Sequence, residues 1–155
     1  MIDKKTFKKT FAQPFEKASF RRTGQSWYLQ GKDINGVVNL QKSNYSELYF
    51  VNVDFWLNSL GEFSLPFKEM PHLHYRAEGL FPDQRELILL ACSLEDSNLQ
   101  LLSQFVVFLA EQLVPFVVAC QDENYVRTLL ANGRLEDGPV TYKARVHLLG
   151  KSKTD

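Results

Sequence analysis

Between residues 26 and 57 three extended, aromatic-rich segments follow one another with only short links between them. No other feature constrains the fold as much. Residues 26–30 (SWYLQ) end at Gly31, and residues 34–43 (INGVVNLQKS) and 47–57 (ELYFVNVDFWL) are rich in Val, Phe and Tyr. The links, GKD and NYS, have the short turn-forming character of hairpin connections. Consecutive strands joined by such links pair antiparallel, because a parallel pair needs a crossover of a dozen residues or more. A fourth strand is expected over residues 72–78 (HLHYRAE), after a loop punctuated by Gly61, Pro66 and Pro71. Beyond residue 82 the texture turns helical. Strands first and helices afterwards describe an α+β fold. The expectation is an N-terminal helix, an antiparallel meander of about four strands, and C-terminal helices packed on one sheet face.

The first helix is legible in Phe7, Phe11 and Phe15, which recur every four residues, with Lys5, Lys8 and Lys9 on another side. Asp3 is placed to cap it. Pro14, lacking a backbone donor, must kink it or begin a new turn. Later, Ser97 and Gln100 form a capping-box pattern ahead of the stripe Leu99, Leu102, Phe105, Val106 and Leu109. That stripe ends at Pro115, where a second helix starts. Asp122 caps a third over 123–131, which Gly133 terminates. Residues 86–94 (ELILLACSL) read equally as helix or buried strand. Residues 140–149 (VTYKARVHLL) alternate like a strand yet also place Val140, Ala144 and Leu148 on one helical face.

A chain of 155 residues fits one domain, here 1–150 with a short polar tail at 151–155. It can bury a core without disulfides or a structural metal. Twelve Phe make that core one of large rings. A net charge of zero argues against bulk attraction to nucleic acid or to a membrane. The charge is nonetheless uneven, with residues 1–22 at +5 and residues 83–124 at −6. Two solvated faces of opposite sign are the plainer explanation. The N-terminus holds no apolar run of signal-peptide type. The longest apolar stretch, 105–120, is broken by Glu111, Gln112 and Pro115 and is too short to span a bilayer. Cys92 and Cys120 are isolated among apolar residues and read as reduced core thiols, which points to the cytoplasm.

A resemblance runs along most of the chain. Phe20-Arg21-Arg22-Thr23-Gly24, Trp27-Tyr28, the run Val38-Asn39-Leu40-Gln41-Lys42-Ser43, and Tyr49-Phe50-Val51-Asn52-Val53 resemble the bacterial family known as domain of unknown function 4304. His72-Leu73 with Arg76, Glu78 and Leu80 is similar to that family's H-L-x-x-R-x-E-x-L stretch. Leu94-Glu95-Asp96-Ser97, Pro115-Phe116 and Leu148-Leu149-Gly150 fit its helical half. Ser19 departs from it, standing where the family has Gly before the Phe. The resemblance implies the same α+β domain, turns residues 140–149 toward helix and implies no activity. Some members look like small accessory or toxin-immunity proteins.

Period-two alternation assigns the strand faces. Val38, Leu40 and Lys42 share one face of the second strand, opposite Asn39, Gln41 and Ser43. In the third, Tyr49, Val51, Val53 and Phe55 lie opposite Phe50, Asn52, Asp54 and Trp56. One face is therefore apolar and covered by helices. The other presents amides and a carboxylate beside exposed rings, a surface suited to a peptide or small polar ligand, although such a mixed face is also the ordinary wet side of an antiparallel sheet. The candidate binding residues are Asn39, Gln41, Asn52, Asp54, Trp56, His72 and Arg76. His72 and His74 aim the same way, but zinc wants three or four protein ligands and no third is evident, so no metal or other cofactor is expected. Lys42 is expected to pair with Glu78 or Asp54, and Arg76 with Glu78.

No P-loop, dinucleotide fingerprint, nucleophile elbow or HExxH pattern occurs. RNA binding through Trp27, Phe50 and Trp56 lacks the basic charge to hold phosphate. What remains is a non-catalytic protein-interaction domain of immunity or accessory type. The alternative is a small-molecule-binding protein or small enzyme working from the mixed face.

Overall fold

The computed structural model of the chain describes residues 1–136 and 138–150, so the tail expected at 151–155 lies outside the described residues. Helix α1 (Lys4–Lys17) leads into five strands: β1 (Arg21–Thr23), β2 (Ser26–Leu29), β3 (Ile34–Lys42), β4 (Tyr49–Leu57) and β5 (Leu73–Arg76). They form one antiparallel sheet in sequence order. The strand missed by the sequence reading is β1, three exposed residues with no apolar alternation to reveal them. The strand expected over 72–78 is cut to β5, because α2 (Ala77–Leu80) turns the chain into a helix there.

Then follow α3 (Arg85–Cys92), α4 (Leu99–Phe108), α5 (Val114–Ala119), α6 (Glu123–Ala131) and α7 (Tyr142–Leu149). Both ambiguous segments are helical: α3 buries Ile88, Ala91 and Cys92, and α7 buries Ala144 and Leu148, each on one helical face. Asp3 caps α1 by accepting the Thr6 N–H at 2.8 Å, and Asp122 caps α6. The α4 cap is Asn98, which accepts the Leu101 N–H at 2.9 Å, rather than Ser97. Both residue types cap well, and the register that buries Leu102, Phe105 and Phe108 decides between them.

The helix does not end at Pro115. A π-turn (Leu109–Leu113) joins α4 to α5 in one path. Its wider bore relieves the clash a proline ring makes with the carbonyl four residues earlier. Leu99–Ala119 is thus long and apolar enough to cross a membrane, contrary to the estimate for residues 105–120. Here its Phe105, Leu109, Leu113 and Val117 are buried in the core. Gly36 on β3 makes that packing close, since a Cβ there would lie 2.5 Å from Val117 Cγ1.

The face assignment holds for the inner side. Val38 lies opposite Val53 and Leu40 opposite Val51, all buried. Above them α1 stacks Phe7 on Tyr49 (centroids 5.1 Å) and sets Phe11 edge-on to Trp27 (5.2 Å). Lys42, at the strand end, pairs with Glu47 at 3.6 Å and not with Glu78 or Asp54.

Candidate functional site

The outer sheet face is divided. Over the end of the sheet that carries Tyr28 on β2 and Trp56 on β4 lies the connection running from the 3-10 turn Asn58–Leu60 to Pro71. Its rings sit on the strands: Phe63 against Tyr28 (5.8 Å) and Phe67 stacked on Trp56 (5.8 Å). Trp56 is therefore only 3% exposed, and its indole N–H donates to the Gly61 carbonyl at 3.0 Å. His72 is sealed in beside it, 4.2 Å between ring centroids, with Nδ1 accepting the Leu57 N–H at 2.9 Å. The expectation that Trp56 and His72 are surface recognition residues is corrected. A part-buried trio fastens the start of the connection, the buried Asn35 donating to Asn58 Oδ1 (2.9 Å) while Asn58 donates to the Gly31 carbonyl (3.0 Å).

On the rest of the face the register sets Asn39, Asn52 and Arg76 side by side, but Asn52 and Asp54, expected at an exposed surface, are buried. Asn39 on β3 lies opposite Asn52 on β4, which lies opposite Arg76 on β5. Asn52 Nδ2 donates to Gln41 Oε1 (3.0 Å) and to Asn39 Oδ1 (3.3 Å), and Asn39 Nδ2 donates to Ser26 Oγ (3.0 Å). Asn52 is buried, and among the described residues its Oδ1 has no hydrogen-bond partner. With Nδ2 committed to β3, that oxygen is the side of the amide turned away from β3. Arg76 is exposed, and its guanidinium lies 3.8 Å over the Phe50 ring instead of pairing with Glu78. Gln41 and Arg76 thus border a floor of interlocked amides.

One pairing was not anticipated. His74 on β5 and Asp54 on β4 are register partners, and Nδ1 of the imidazole holds Asp54 Oδ1. The carboxylate side is 8% exposed and the imidazole 44%, so the acid is sealed beneath a ring that reaches solvent. Burial pushes the Asp54 carboxyl up to about 6, with the hydrogen bond and charge of His74 pulling the other way. No spacing rule links residues 54 and 74; only the strand register reveals the pair. Beside His74 a cleft of about 220 Å³ opens, lined also by Arg76, Leu80, Arg134 and Glu136. Among the described residues no three His, Cys, Asp or Glu side chains converge as a metal centre.

Fold and site together define an α+β sheet domain with one face filled by helices and the other half-shielded by a long aromatic connection. Residues 11–119 match the family described as a domain of unknown function (DUF4304), and the chain belongs to it. No curated protein and no solved structure matches the chain.

Proposed function

We propose that the protein is a non-catalytic binding domain that engages a protein partner through the open half of its outer sheet face. The observation that carries this is Arg76 lying over Phe50 on a stiff amide floor. Arginine and aromatic side chains supply most interface hot spots, and groups already held in place lose little entropy on binding. Tyr45, 96% exposed in the β3–β4 connection, adds a ring beyond the end of this strip. An immunity or accessory role and a cytoplasmic setting belong to the same proposal. The two unpaired, buried thiols, Cys92 and Cys120, support the setting.

Quantitative affinity capture with the wild-type chain, the double variant Phe50→Ala/Arg76→Ala and the control Tyr142→Ala tests the reading. A partner held by wild type and control but lost from the double variant is the expected result. A partner retained by all three would remove this face from the account.

The Asp54–His74 pair favours a second reading, a small-ligand site at the β5 edge. A carboxylate–imidazole pair opening onto a cleft is the arrangement polar ligands use.

A further inference from the structure

The cleft at the β5–α2 junction is lined by His74, Tyr75, Arg76, Gly79, Leu80, Arg134, Glu136 and Pro139, and three of these are cationic or can become so. His74 stands two residues from Arg76, so both side chains leave the same face of β5. Arg134 approaches from the segment after α6, its guanidinium 5.1 Å from the Phe81 ring centroid and 5.0 Å from that of Phe116. Among the described residues neither guanidinium takes part in an ion pair. Both are instead held against aromatic faces, which leaves donor edges for a ligand while fixing the planes. The imidazole is similarly constrained: Asp54 occupies Nδ1, so Nε2 is the nitrogen left for a ligand, and it donates to an anion when it carries a proton.

We propose that this cleft binds the oxyanion group, phosphate or carboxylate, of a small organic molecule through His74, Arg76 and Arg134. Guanidinium groups match carboxylate and phosphate geometry with paired N–H donors, which a lysine cluster does not. A second hollow of about 400 Å³ continues from the first past Arg134 and Glu136, walled by Leu80, Phe81 and Pro82. It gives an apolar wall for the body of such a molecule once its charged end is seated. Among the described residues Glu136 is the acidic residue that lines both spaces, with Asp83 lining the second; their charges oppose binding and lower the affinity. Tyr75 brings a hydroxyl, but that group donates to the Glu136 carbonyl at 2.7 Å, so it fastens the wall. This site rests on the second reading above and shares Arg76 with the proposed partner surface; His74 and Arg134 belong to the cleft alone and distinguish the two.

The test follows the histidine imidazole resonances of the full chain by two-dimensional NMR during titration with inorganic phosphate, phenyl phosphate and benzoate. Sodium chloride at matched ionic strength is the control. The expected result is a saturable shift of His74, with buried His72 unmoved, tighter for phenyl phosphate than for phosphate if the apolar wall takes part. Benzoate binding alone would assign the group as carboxylate within the same site. Arg134→Gln weakens binding about tenfold, the loss of one charge-assisted hydrogen bond. Glu136→Gln tightens it, and both positions are exposed, so neither change disturbs the core. A His74 shift reproduced by chloride, or affinities equal in wild type, Arg134→Gln and Glu136→Gln, would overturn the proposal.

Discussion

His72 Nδ1 accepts the backbone N–H of Leu57 at 2.9 Å, tying the return of the long connection to the end of β4. A protonated imidazole has no lone pair at Nδ1, so the contact requires the neutral ring. Burial, chiefly, holds this imidazole below its usual value, with the charges of Lys143 and His147 adding and Glu69 opposing. Stability from this group is present above about pH 6.5 and is lost as the pH falls toward the lowered folded value. His72→Ala is expected to cost about 2–4 kcal/mol by leaving the Leu57 N–H unpaired and a hole beside Trp56. His72→Asn, which keeps an acceptor near the same point, recovers part of that loss. Urea denaturation of both variants across the acid range checks the order and the slope.

Asp54 bends the pH profile the other way. Its folded carboxyl titrates at about 6, while an unfolded one titrates near 3.9. Between those values the folded chain keeps a proton that the unfolded chain has released. The group's stabilising contribution is therefore full below about pH 4 and lost as the pH rises through about 6. Asp54→Asn removes this dependence while keeping an acceptor for His74. Relative to wild type, the variant gains stability between about pH 4 and pH 7. Parallel stability curves for the two proteins would contradict the assignment.

Ser19 sits at φ +64, a left-handed conformation that glycine adopts at no steric cost. It is exposed, and no side-chain hydrogen bond rewards the geometry. Ser19→Gly should therefore stabilise the protein by up to about 1 kcal/mol, read as a rise in the urea midpoint at unchanged slope.

Both thiols are predicted to be inert in the folded state. Burial pushes Cys120 up to about 12, and it pushes Cys92 higher still, with nearby Glu78 adding to the effect. A thiol-exchange reagent at neutral pH should find neither cysteine in the native protein and both in denaturant. Fast labelling of either without denaturant would mean the core opens there.

Much of the sheet was legible from the sequence because β3 and β4 alternate over most of their length, Val37 being an apolar exception on the outer face; Val38, Leu40, Val51 and Val53 point inward as their spacing requires. The amide row Asn39–Asn52 follows from the same alternation. Trp56 shows the limit of that argument. Period two puts it on the outer face, and there it stands, but exposure depends on what lies over that face. Residues 58–71 read as a punctuated loop, while Phe63 and Phe67 within it are rings that need burial and take it on Tyr28 and Trp56. The Asp54–His74 pair was hidden for a different reason. Which residue of β5 meets Asp54 is fixed by the length and packing of that same connection, so the pair cannot be read from either strand alone.

Residue-resolved hydroxyl-radical footprinting tests the division of the outer face most directly. Tyr45 should oxidise readily, while Trp56 should be protected to the degree of Trp27, which is fully buried under α1. Rapid oxidation of Trp56 in the native protein would show that residues 58–71 leave the indole open, and the face would then be the undivided surface its alternation alone suggests.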